Sequence, residues 1–165
     1  MLLKSFFIAV IALFISWSSL VADAADIAPS FQLPANAGAP TLKDLKGKVV
    51  WVDFWASWCG PCRQSFPWMN SMAKRYSDKG LVIIGVNLDT EKPLADEFLR
   101  QSHADFPIVF DPQGKITQAY GLVGMPSSFL VGADGTIQYR HAGFRSEDAL
   151  VMEGEIKKVL HVQTP

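Results

Sequence analysis

Hydrophobic and polar positions along the 165-residue chain alternate between strand-like and helix-like spacing. Val49 to Phe54 is apolar and β-branched or aromatic almost throughout, interrupted only by Asp53, which predicts a central strand buried on both faces. Phe66, Met69, Met72, Ala73 and Tyr76 then recur at helical spacing until Asp78-Lys79-Gly80 ends the run, and Pro67 should kink that helix by removing an internal donor. Leu81 to Asn87 predicts a second buried strand, and Thr90 and Pro93 open a helix reaching about Gln101. Ile108 to Phe110 is a short strand, Lys115 to Tyr120 a short helix closed by Gly121, and Ser127 to Val131 a strand. Asp134-Gly135 turns the chain into Thr136 to His141. From Ser146 the chain is helical again, with Glu147 and Asp148 at its start and Lys157 and Lys158 near its end, as the helix dipole favours. Residues 25–48, rich in Pro, Ala and Gly, predict an extended lead-in with a short hairpin that covers one sheet edge.

The first two dozen residues are different in kind. Lys4 supplies a positive start, Phe6 to Ile15 is unbroken apolar sequence, and Ala22-Asp23-Ala24 is a small-residue cleavage pattern. Residues 1–24 are therefore expected to be an export signal and residues 25–165 one domain, with Ala25 the mature start and a periplasmic or other extracytoplasmic location. An uncut signal would make the protein membrane-anchored, but Ser16, Ser18 and Ser19 leave the segment short of a full span. The chain as a whole is of ordinary globular composition, 49% hydrophobic and 19% charged, and its net charge of −1 argues against a nucleic-acid partner.

The candidate chemistry is carried by Trp58-Cys59-Gly60-Pro61-Cys62, which holds the only two cysteines. With two residues between them the sulfurs can pair if the chain after Cys59 turns into a helix. So short a loop removes little entropy from the unfolded chain, so a purely stabilising bridge is the weaker reading. A zinc half-site would need two more soft ligands, and His103, His141 and His161 are scattered. Thiol-disulfide exchange is the leading reading. Thiols exported to an oxidising compartment do not stay reduced without an electron source.

The stretch Val52 to Cys62, Pro67 in the next helix, and Gly124-Met125-Pro126 ahead of a strand together resemble a thioredoxin-fold protein. The lead-in Ala28 to Leu33, the Leu45-Lys46-Gly47-Lys48 step and the extra strand and helix between Asn87 and Phe110 resemble more narrowly the TlpA/ResA group of exported thiol-disulfide oxidoreductases. That resemblance covers nearly all of residues 27–162. It implies an α/β thioredoxin-like fold, a central mixed sheet flanked by helices, with an N-terminal extension and a strand-helix insertion before the cis-proline strand. It also implies Cys59 at a helix N-terminus as the attacking thiol and Cys62 as the shielded, resolving thiol.

Pro126 matches the family's cis-proline, beside which a client peptide could pair with Met125 as an added strand. Trp58, Gly124, Met125, Pro126 and Gly143, the last within Ala142-Gly143-Phe144, would form the client groove. Asp53 is expected to have a raised pKa and to relay a proton to Cys62; thioredoxin's lysine partner for that acid matches Gly85. Relatives often carry Glu where this chain has Ser65, and an acid near Asp89-Thr90-Glu91.

The Gly-Pro dipeptide between the cysteines is that of thioredoxin, which points to a reductant of disulfide-bearing client proteins, apocytochrome c among the candidates. A membrane thiol relay of DsbD or CcdA type would be its electron donor. Ser127 stands where the cytochrome-dedicated branch usually has an acid. No cofactor or metal is implied, and the protein is expected to be a monomer. A peroxiredoxin-like peroxidase would need a P-x-x-x-T-x-x-C pattern, which neither cysteine has. A copper(I) chaperone using Cys59, Cys62 and one histidine is the non-enzymatic alternative.

Overall fold

A computed structural model describes residues 26–161. The export signal expected over residues 1–24 lies outside them. Five strands, β1 (Val49–Trp55), β2 (Leu81–Asn87), β3 (Ile108–Phe110), β4 (Ser127–Val131) and β5 (Ile137–Ala142), form one sheet in the order β3-β2-β1-β4-β5. β1 and β2, and β2 and β3, pair in parallel, whereas β1 with β4 and β4 with β5 are antiparallel. The sheet is thus mixed, and β1 is its middle strand, buried at all seven positions. Four helices complete the fold: α1 (Gly60–Tyr76), α2 (Lys92–Ser102), α3 (Lys115–Tyr120) and α4 (Asp148–Val159). Among the described residues no helix is long and apolar enough to cross a membrane.

The two faces of β1 divide the core in two, because successive side chains in a strand point to opposite sides. Trp51 and Trp55 face α1, where Trp51 packs edge-on against Trp68 at 5.2 Å and Trp55 against Phe66 at 5.0 Å between ring centres. Met152 and Ile156 of α4 and Phe98 of α2 close that layer. Val50, Val52 and Phe54 face the other way, onto Tyr120 of α3 and the lead-in residues Ala28, Phe31, Leu42 and Leu45.

The lead-in therefore lies across a sheet face, where an edge cover was expected. Only α3 would otherwise shield the apolar side made by Val50, Val52, Phe54, Ile84 and Val86, so the lead-in's buried side chains are needed there. On the β5 side it is fastened by the bridge of Ile27 with Thr136, by Ile137 N–H donating to the Asp26 carbonyl at 2.7 Å and by an ion pair of Asp26 with Arg140. The expected short hairpin is present as the bridge of Gln32 with Thr41, between 3-10 turns at Ala35–Ala37 and Leu42–Leu45.

α1 continues as helix through Pro67, whose side chain is exposed. Gly80, at φ 95°, ends the following 3-10 turn and leads into β2. Gly85 has a different cause. A Cβ there would lie 2.8 Å from Ile108 Cδ1 and 3.1 Å from both Phe106 and the Trp55 indole nitrogen, so β2 admits no side chain opposite Asp53.

Candidate active site

β1 delivers the chain to the site at its C-terminal end. Leu88 N–H donates to the Trp55 carbonyl at 2.9 Å, and Cys59 N–H turns back to the Ala56 carbonyl at 3.1 Å, so the loop 56–59 is closed before the helix begins. Cys59 is the N-cap of α1, with extended backbone, and its Sγ accepts from Cys62 N–H at 3.3 Å. Gly60 and Pro61 form the first turn, where proline's missing N–H costs nothing. That turn carries no acidic residue. Free N–H groups and the positive end of a 17-residue helix thus favour a thiolate at Cys59.

Cys59 and Cys62 are joined as a disulfide, with Cα atoms 5.3 Å apart. Cys59 is 5% exposed and Cys62 wholly buried, so the sulfur nearer solvent belongs to the expected attacking residue. Ser65, one turn further on, is buried and donates its hydroxyl to the Cys62 carbonyl at 3.0 Å.

The Met125-Pro126 peptide is cis. Gly143 N–H donates to the Pro126 carbonyl at 2.7 Å, and Ser127 pairs with Ala142, so the 142–144 loop and the proline loop are fastened side by side. Met125 packs against the cluster that contains Cys59, Cys62 and Phe144. Gly124 is exposed, and Trp58 stands clear of that cluster, 71% exposed, together with Val123 at 92%. Met125 thus shares an apolar cluster with the disulfide, Pro126 and Gly143 are joined to each other, and Trp58 and Val123 are exposed apolar side chains.

Asp53 is almost wholly buried between Trp51 and Trp55, and by strand alternation on the α1 side. Ser128 Oγ, across the β1–β4 pairing, donates to Asp53 Oδ1 at 2.6 Å. Asp53 Oδ2 has no hydrogen-bond partner, and the Trp51 indole N–H is likewise unpaired. Burial pushes the Asp53 pKa up to about 7, while Ser128 and the nearby Trp51 indole pull more weakly the other way.

Of the two acids after β2, Asp89 is buried and Glu91 is exposed at the N-cap of α2. Asp89 accepts from Ser57 N–H at 2.9 Å, from Ser57 Oγ at 2.8 Å and from Asn87 Nδ2 at 2.8 Å. It clamps the loop two residues before Cys59. The sequence alone does not assign roles to Ser57, Asn87 and Ser128; polar residues beside an apolar run are the only signal, and the partners of Ser57 and Ser128 lie 32 and 75 residues away along the chain, whereas Asn87 is two residues from Asp89.

Among the described residues no group of three or more His, Cys, Asp or Glu side chains is gathered as a metal site. A cavity of about 440 Å³ lies at the other end of the sheet, against Val50 and Val131.

The Redoxin family profile matches residues 23–160. The chain belongs to the Redoxin family. Within it, the chain is 35% identical over 133 residues to the thiol-disulfide oxidoreductase ResA of Bacillus thuringiensis, covering 80% of this chain and 76% of that one. The ResA of Bacillus subtilis is 34% identical over 111 residues, covering 67% and 62%. A crystal structure from Chlorobium tepidum, described as a thiol:disulfide interchange protein DsbE, superposes with a TM-score of 0.78 at 48% identity, over 82% of this chain and 96% of the other. The resemblance drawn from the sequence and the thioredoxin-like fold are both borne out. A lone C-x-x-C pair at the helix start of this Redoxin-family fold is the site of a thiol-disulfide oxidoreductase.

Proposed function

We propose that this protein is an exported reductant of disulfides in extracytoplasmic proteins, with Cys59 as the attacking thiol and Cys62 as the resolving one. The observation that supports it best is the asymmetry of the pair: Cys59 caps α1 and keeps a 5% exposure, whereas Cys62 is wholly buried. The Cys59 thiolate attacks one sulfur of the client disulfide, forming a mixed disulfide and releasing one client thiolate. Cys62, once deprotonated, attacks Cys59 Sγ, releasing the second client thiolate and closing the Cys59–Cys62 disulfide. Two electrons pass to the client. A membrane thiol relay of DsbD or CcdA type would return two electrons to the protein. Asp53 is the group we assign to accept the Cys62 proton, since a carboxyl with a pKa of about 7 can take up and release a proton near neutrality.

Clients would enter extended along the Met125-Pro126 segment, where the groove is apolar and offers main chain as well as side chains. An apocytochrome c bearing an oxidised haem-attachment pair is one client this groove would take.

The deciding measurement is the reduction potential, by equilibration with glutathione. A reductant should lie nearer thioredoxin, at about −270 mV, than DsbA, at about −120 mV. A value near the DsbA end would make the protein an oxidant and sink the proposal. Trapping clients on Cys62→Ala in cells, then identifying them, tests the client class.

A further inference from the structure

We propose that the cavity at the end of the sheet away from the disulfide is a binding site for a single-chain anionic amphiphile, a medium-length alkanoate. The cavity of about 440 Å³ is of the size that holds small ligands. Its floor is apolar: Leu42, Leu45, Val50 and Val131 line it, and each is buried. The 3-10 turn at Leu42–Leu45 explains the inward pair, because residues three apart share one side of such a turn. Lys43, Lys46 and Lys48 also line the cavity, so three cations stand over a greasy floor.

The walls come from separate segments already fastened together. Ala28 N–H donates to the Gly135 carbonyl at 3.0 Å, Gly47 N–H to the Ala133 carbonyl at 2.8 Å, and Lys43 N–H to Ser30 Oγ at 3.1 Å. A ligand therefore meets a formed site and need not order one.

Among the described residues none of the three lysines makes a salt bridge. The acids nearby are held by hydroxyls, and Asp134 also feels the Lys46 charge. Asp134 Oδ1, at the cavity wall, accepts from Thr136 N–H at 2.9 Å and Thr136 Oγ1 at 2.7 Å, and Asp44 Oδ2 accepts from Thr41 Oγ1 at 2.6 Å. An anionic head group would meet the ammonium groups of Lys43 and Lys48, with Lys46 shared with Asp134, while its tail lay on Leu42, Leu45 and Val131. At about 3.3 Å per strand residue, Val50 is roughly 17 Å from the Trp55 end of β1, so an occupant would leave the client groove open.

Titration calorimetry of the oxidised protein, purified after expression of the full-length chain, with octanoate and decanoate below micellar concentration tests the site. One saturable site per molecule is expected, and decanoate should bind more tightly by about fourfold for each added methylene. The triple variant Lys43→Ala, Lys46→Ala, Lys48→Ala should lose about tenfold in decanoate affinity, with 1-decanol binding and insulin reduction unchanged. Ala28→Trp, which fills the cavity from its wall with the lysines intact, should abolish decanoate binding. Non-saturable uptake, no gain from the added methylenes, unchanged affinity in the triple variant, or binding seen only to anionic phospholipid vesicles would each overturn the proposal.

Discussion

Replacing Asp53 with Asn removes a buried carboxyl whose charge the fold resists. Its folded pKa is about 7 against an ordinary 3.8. Below about pH 4 the group is protonated in both folded and unfolded chains and contributes no pH-dependent term. Between pH 4 and 7 the folded chain keeps a proton that the unfolded chain releases, so stability falls as pH rises, by about 1.4 kcal/mol per pH unit. Above pH 7 both states are ionised and the penalty levels off at about 4 kcal/mol, the free-energy equivalent of the rise from 3.8 to about 7. Asn keeps the acceptor for Ser128 Oγ but cannot titrate, so its advantage over Asp should grow across that window and then flatten. The new amide N–H would face the unpaired Trp51 indole N–H, which offsets the whole curve without tilting it. Urea denaturation of both proteins in the oxidised state, where neither cysteine titrates, isolates the effect. A stability difference that stays flat from pH 4.5 to 8 at the precision of the assay, about 0.5 kcal/mol, would refute the raised pKa. In the reduced protein the same variant should slow release of the mixed disulfide more than the first attack, since only release requires Cys62 to lose its proton.

Alkylation of the reduced protein near neutral pH should modify Cys59 well before Cys62, and equal rates would remove the assignment of the attacking thiol. Met125→Thr should alter client turnover while moving the reduction potential little; unaltered kinetics would place the groove elsewhere. Gly85→Ala should destabilise by about 1–3 kcal/mol through overpacking, because its Cβ meets Ile108 at 2.8 Å, and thermal denaturation reads this directly. Asp89→Ala should cost about 2–4 kcal/mol by stranding the donors of Ser57 and Asn87. It should also slow Cys59 alkylation as the loop loses its anchor, and an unchanged rate would confine Asp89 to a stabilising role.

Strands and helices were legible where burial imposes a period. β1 and β2 are apolar on both faces, and Phe66, Met69, Met72 and Tyr76 keep the 3.6-residue spacing of one buried helix side. The lead-in was legible only as irregular chain. Its inward residues, Ala28, Phe31, Leu42 and Leu45, follow no single period because each is aimed by a turn or a bridge. Its place on a face follows from what the sheet leaves uncovered, and that depends on the strand order.

The same limit governs Asp53. A carboxylate inside an apolar strand is costly wherever the strand sits, so the direction of its shift follows from composition alone. Its partner does not, since Ser128 is joined to it only through the β1–β4 register, 75 residues along the chain. Gly85 stands opposite Asp53 on the other neighbouring strand, and three side chains already fill the space a cation there would need. A hydroxyl on one side and no charge on the other leave the acid stabilised too little to ionise fully near neutral pH. Had the register brought a lysine opposite, the same sequence element would hold a permanent carboxylate, unsuited to the proton-accepting role proposed for Asp53.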